Sequence, residues 1–235
     1  MNESEIVALL RRADLPRETF DEIVASREGR KLYAVRLALA AHPRTPRTEA
    51  LSLVGTLYWR GLARLSADAR VHPQVRRSAD VELLRRLPQL ALAEKVDLAR
   101  TAGRGVLPAL RLDPEPRVTA GLLDNRFTTE PDVVQAAARR RAPPAVLATI
   151  AEHRLWGSRP SVRAALLGNP ALPPGTALVL LARGNAREAA LLRDTPGVSP
   201  LLRALAERFL APEAATDLPW TDTALEIEKK DDNSE

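Results

Sequence analysis

A valine returns four times along the chain, at Val35, Val75, Val118 and Val162, at successive separations of 40, 43 and 44 residues. No other feature narrows the fold as much. A block of that period, carrying a short apolar helix, cannot bury its greasy side alone, so copies must stack on one another. The copies read Val35-Arg36-Leu37-Ala38-Leu39, Val75-Arg76-Arg77-Ser78-Ala79, Val118-Thr119-Ala120-Gly121-Leu122 and Val162-Arg163-Ala164-Ala165-Leu166. Pro73, Pro116 and Pro160 stand two residues ahead of three of the valines. A first helical turn accepts proline because its missing N–H has no partner there in any case. Leu39, Ala79, Leu122 and Leu166 follow one turn later, on the helix face of the valine. Seven residues after the valine stand His42, Asn125 and Asn169, with Glu82 as the exception. His and Asn accept the left-handed conformation that ends helices, and Pro43 and Pro170 follow at once in the first and last copies. The pattern predicts short helices of about two turns with defined ends.

The remainder of the chain fits the same scheme. Ser4 is a cap for a first helix with Ile6, Leu9 and Leu10, and Phe20, Ile23 and Val24 stripe a second, which Gly29 ends. Thr45-Pro46 starts a helix with Thr45 as cap, and Leu62 to Ala69 forms the next. Glu82 lets its helix run to Leu87, where Pro88 stops it. Helices are expected over Ala93 to Thr101 and Val106 to Leu112. Further restarts come after Thr128-Thr129-Glu130-Pro131, Pro143-Pro144 and Pro173-Pro174. A final amphipathic helix spans Leu201 to Leu210, with Leu201, Leu202, Leu205 and Phe209 on its apolar side.

The period lies in the range of HEAT and armadillo arrays. Asp113-Pro114-Glu115-Pro116-Arg117-Val118, opening a small-residue helix, resembles the second half of a HEAT repeat. The Asn-Pro endings and Thr-Pro restarts are similar to the bacterial leucine-rich variant repeats. The likeness spans roughly residues 32–210. It implies an all-α fold, a right-handed α-solenoid of HEAT-like repeats. Residues 1–31 would form an N-terminal helical cap, 32–211 a domain of about four repeats, and 212–235 an acidic tail. It also implies a ladder between units, with Asp113 in the Asp place and Arg36, Arg76 and Arg163 in the Arg place; Thr119 interrupts it.

Charge is unevenly spread over this plan. Residues 212–235 hold eight acids against Lys229 and Lys230, a net of −6, so the preceding 211 residues carry +11. Of the 35 basic residues 31 are arginine, which leaves two readings: solvated helix faces, or a surface for an anionic partner. The tail has the composition of a disordered segment, yet Leu218, Trp220, Leu225 and Ile227 are spaced among its acids as a docking motif. An acidic N-terminus without a signal-peptide pattern, and no apolar run near the ~18 residues of a membrane span, suggest a cytoplasmic protein without membrane insertion.

Catalytic chemistry is thin. Cysteine is absent, and the three histidines, His42, His72 and His153, lack a metal-binding spacing, so neither metal nor cofactor is implied. Gly103-Arg104-Gly105 lacks the spacing and the strand of a phosphate loop. The sequence therefore reads as a non-enzymatic scaffold for a protein or peptide partner of acidic character, through Tyr58, Trp59, Arg60, Arg76, Arg77 and Arg163. For Tyr58 and Trp59 core packing is the first reading and a binding platform beside Arg60 the rival. The alternative function is a nucleic-acid binder whose acidic tail modulates binding. A HEAT-like DNA glycosylase, with Trp59, Asp68 and Trp156 as its only likeness, comes third.

Overall fold

Prolines and short polar residues cut this chain into brief helices, and the computed structural model, which describes residues 2–12 and 14–211, shows sixteen of them and no strand among those residues. They are α1 (Glu3–Leu10), α2 (Arg17–Ala25), α3 (Arg27–Lys31), α4 (Tyr33–Ala41), α5 (Arg47–Val54), α6 (Trp59–Ala67), α7 (Pro73–Arg86) and α8 (Leu92–Thr101). There follow α9 (Leu107–Leu110), α10 (Pro116–Leu123), α11 (Glu130–Ala137), α12 (Pro144–Glu152), α13 (Pro160–Leu167), α14 (Pro174–Ala182), α15 (Ala186–Asp194) and α16 (Pro200–Leu210). Six of them, α7, α10, α12, α13, α14 and α16, begin on a proline, as the first-turn argument requires.

The valine helices are α4, α7, α10 and α13, every third helix in order, and all four valines are fully buried. Principal contacts join helices that are near neighbours in the chain. A recurring one sets each third helix against the helix two before it: α5 with α7, α8 with α10, α11 with α13 and α14 with α16. A second set joins α4 to α6, α6 to α8, α8 to α10, α10 to α12, α12 to α14 and α14 to α16. Leu, Ala and Val fill the space between, in two apolar clusters. The boundary falls inside α10: Leu122 belongs to the first cluster and Leu123 to the second.

The residues that end the valine helices tie the units together. None is left-handed; among the described residues only Gly197 has a positive φ. Asn125 instead donates its amide to the carbonyls of Ala99 (2.8 Å) and Ala102 (3.0 Å), and its Oδ1 accepts from the Phe127 N–H. Asn169 does the same to Ala137 (2.6 Å) and Arg139 (3.0 Å), with Oδ1 accepting from the Ala171 N–H. Both asparagines are buried, and each cross-link satisfies carbonyls at or just past the end of a helix. Where Glu82 replaces the asparagine, Arg86 takes over, donating to the carbonyls of Leu57 (2.6 Å) and Gly55 (3.2 Å). His42 stacks on Phe20, ring centroids 4.6 Å apart, and accepts from the Arg44 N–H.

Several local expectations shift. Asn2, one place outside the helix, caps α1 and not Ser4, because Asn2 and Glu5 form a reciprocal capping box. Gly29 lies inside α3, whose cap is Ser26. Pro46, not Thr45, occupies the cap of α5. Of the third helices, α9 is shorter than the expected Val106 to Leu112, whereas α6 starts earlier than expected, at Trp59, and ends at Ala67. An additional helix, α15, starts at the Asn185–Glu188 capping box. In α16 the buried side is Leu202 and Ala206, whereas Leu201 and Phe209 face outward. Among the described residues the expected Asp–Arg ladder does not form: Asp113 pairs with Lys95 at 3.3 Å, Arg163 with Glu188 at 2.7 Å, and the buried Nε atoms of Arg36 and Arg76 have no hydrogen-bond partner there.

Candidate binding groove

On α6, Trp59, Arg60, Ala63, Arg64 and Ala67 recur at helical spacing and so share one face. That face floors a groove of about 1060 Å³. Asp97, Arg100 and Thr101 of α8 form one wall. The turn after α6 contributes Asp68 and Arg70, and the turn after α10 contributes Arg126 and Phe127. Arg126 reaches 59 residues back to donate to the Ala67 carbonyl at 3.2 Å, which holds that turn over the end of α6. A second groove of about 710 Å³ shares Arg64, Asp68 and Arg70 with the first and extends over α4 and α1, adding Arg11, Arg12 and Arg44. The two grooves adjoin at Arg64, Asp68 and Arg70, and together they make up the channel region that touches α1, α4, α6 and α8.

Its charge is one-sided. Eight arginines line it (Arg11, Arg12, Arg44, Arg60, Arg64, Arg70, Arg100 and Arg126) against two acids, Asp68 and Asp97. Asp97 pairs with Arg60 at 3.0 Å and Asp68 with Arg70 at 2.8 Å, both exposed contacts of small worth. The Asp68 carboxyl is held below the usual carboxylate range, first by its hydrogen bond from Arg70, with the fields of Arg70 and Arg126 adding to it against partial burial. Arg64 and Arg100 are exposed and form no ion pair among the described residues. Aromatic rings fix part of the positive rim: Arg60 lies 5.0 Å over Trp59, and Arg126 4.6 Å over Phe127. Trp59 is itself anchored to α8 by its indole N–H, which donates to Glu94 at 3.0 Å. Ala67 and Phe127, with the buried Ala63, leave an apolar strip in the same lining.

The residues read from the sequence divide among several places. Trp59 and Arg60 line the groove together. Tyr58 is 68% exposed and leans on Tyr33, ring centroids 4.9 Å apart, so it is a surface ring and not a core one. Arg76 is half-buried on α7 near Asp80, whose carboxyl is pushed up by burial while Ser66 donates to it; Arg77 is exposed on the same helix. Arg163 is internal: it donates twice to Glu188 at 2.7 Å and once to the Leu180 carbonyl at 2.8 Å. Asp68 lines the groove with Trp59, but Trp156 is buried in the second cluster, its indole donating to the Leu123 carbonyl at 2.9 Å. Leu218, Trp220, Leu225 and Ile227 lie outside the described residues. Sequence reasoning missed Arg64, Arg70, Arg100 and Arg126; the spacing of Trp59, Arg60, Ala63, Arg64 and Ala67 on one face was the available signal.

No protein-family model, curated protein or solved structure matches this chain. No helix among the described residues is long and apolar enough to cross a membrane.

Proposed function

We propose that the protein is a non-catalytic scaffold, a right-handed α-solenoid of HEAT-like repeats, that seats an acidic, partly apolar segment of a partner protein in the channel across α1, α4, α6 and α8. The observation that carries this reading is the ratio of eight arginines to two carboxylates around an apolar strip. Guanidinium groups are weakly hydrated and pair bidentately with carboxylates, so they suit a peptide whose acids flank apolar anchors. Focused positive potential also speeds encounter with such a segment.

The test is fluorescence anisotropy with a labelled peptide in which glutamates alternate with leucines, at low and high salt. Binding at low salt that weakens with added salt is expected. The double variant R64E/R100E alters two exposed side chains that form no ion pair among the described residues, so it leaves folding intact and weakens binding by at least about tenfold, or ~1.4 kcal/mol. Failure of the peptide to bind, or binding indifferent to R64E/R100E, rejects the reading. A single-stranded oligonucleotide that binds more tightly than the peptide, with the same sensitivity, replaces it with nucleic-acid recognition.

A further inference from the structure

The outer side of α16 presents an apolar stripe that the described residues leave open at Leu201 and Phe209. Leu201, Leu205 and Phe209 are spaced by four, hence on one face; Leu201 is 62% and Phe209 41% exposed, with Leu205 half-buried between them. The opposite side, Leu202 and Ala206, already packs inward against α14 and α15. Of eleven large apolar side chains that are exposed, five (Leu178, Val179, Leu191, Leu201 and Phe209) fall in α14, α15 and α16, so the apolar excess gathers at this end of the file. Stacked helical units need a terminal cover for such a face. At the other end α1 and α3 pack on α4.

We infer that residues 212–235 of this same chain are that cover, with Leu218 and Trp220 seated on the stripe of Leu201, Leu205 and Phe209. Three observations select this occupant. The first is connection: residues 211–217 are the spacer between Leu210 and Leu218, a length within the ~2–8 residues that join packed neighbours in helical bundles. The second is apolar content: Leu218, Trp220, Leu225 and Ile227 give an otherwise acidic segment four large apolar side chains. The third is charge. Arg183, Arg187, Arg203 and Arg208 of this end form no ion pair among the described residues; the field of Arg203 reaches Asp194, which is itself paired with Arg193. The segment brings a net charge of −6. Apolar seating fixes the position, and the arginines at its rim orient the acids between those anchors. The inference is independent of the groove on α6 and α8.

The experiment reads Trp220 in the full chain. Its emission is isolated by difference between the protein and W220F, which removes the contribution of Trp59 and Trp156. A blue-shifted component, protected from acrylamide, is expected. In L201E/F209E, whose substitutions sit on exposed positions, that component shifts to the red and its quenching constant rises several-fold, while far-ultraviolet circular dichroism stays unchanged. A fully quenchable Trp220 in the unaltered protein overturns the inference. So does protection that survives L201E/F209E, which would place the segment elsewhere, or protection that vanishes on dilution together with a dimer seen by light scattering, which would give the stripe to a second copy.

Discussion

Arg86 on α7 donates to the Leu57 carbonyl at 2.6 Å, and in doing so replaces the asparagine that Asn125 and Asn169 supply in the units that follow. Glu82, standing where the asparagine would be, accepts from Arg86 Nε at 2.6 Å and aims the guanidinium. One structural task, closing carbonyls at the end of the helix two places back, is therefore met by two different chemistries.

Asn169→Ala should be among the most damaging single changes in the second half of the chain. It strips partners from the Ala137 and Arg139 carbonyls and from the Ala171 N–H, at a site that is nearly sealed from water. Leaving buried polar groups unpaired costs ~1–3 kcal/mol each, so a loss of about 2–4 kcal/mol is expected after partial relaxation. Asn169→Asp should be no milder, since a carboxylate cannot donate to the two carbonyls. Urea midpoints at constant m-value report both.

Acid should loosen the second unit through Glu82. Its pKa is lowered from 4.5 to about 2, first by the hydrogen bond from Arg85, then by that from Arg86, against partial burial. A depressed carboxylate contributes stability that is complete above its unfolded pKa and is lost as pH falls toward the folded one. The window is thus pH 4.5 down to about 2. Glu82→Gln should lower the melting temperature at neutral pH and flatten its fall across that window. An unaltered acid limb in the variant contradicts this assignment.

Arg163 and Glu188 form a bidentate pair with both side chains nearly buried. Glu188→Gln or Arg163→Met alone strands a charge, a loss of about 3–5 kcal/mol. The double change to apolar residues of similar volume should recover most of it. A double-mutant cycle by chemical denaturation measures the coupling, and simple additivity would show that the pair is not internally sealed.

Gly103→Ala should disturb the junction between α6 and α8 beneath the groove. A Cβ at residue 103 would lie 2.6 Å from the Ser66 carbonyl oxygen and 2.3 Å from its Oγ. The main chain must shift, at a cost of about 1–3 kcal/mol. Thermal melts should show the loss, and peptide binding at the groove should weaken along with it.

Much of the architecture was legible because proline, asparagine and buried valine each leave a local mark. The four valines identified every third helix, and Pro88 stopped the long helix where expected, in a short 3₁₀ turn over Leu87–Gln89. α15 was obscured by Gly184 and Gly197, which read as breakers, although Asn185 and Glu188 already spelled its capping box. The face of α16 was misjudged because Leu201, Leu202, Leu205 and Phe209 all suit burial, and only contact with α14 and α15 decides among them. The groove was half visible. Trp59 and Arg60 stood out as neighbours, but Arg126 joins them through a turn 59 residues beyond its anchor at Ala67, a proximity that no local pattern encodes.

Leu122 and Leu123 are consecutive residues of α10, yet they serve two separate oily interiors. The described residues thus form two apolar blocks that meet at α10, where Arg111 also reaches Asp132 of α11 at 3.5 Å and its carbonyl accepts from Arg139 at 3.3 Å. Heat should open the chain at that junction. The arginine channel would survive on one block while the block bearing Trp156 melts, so damage beyond α10 need not silence the channel.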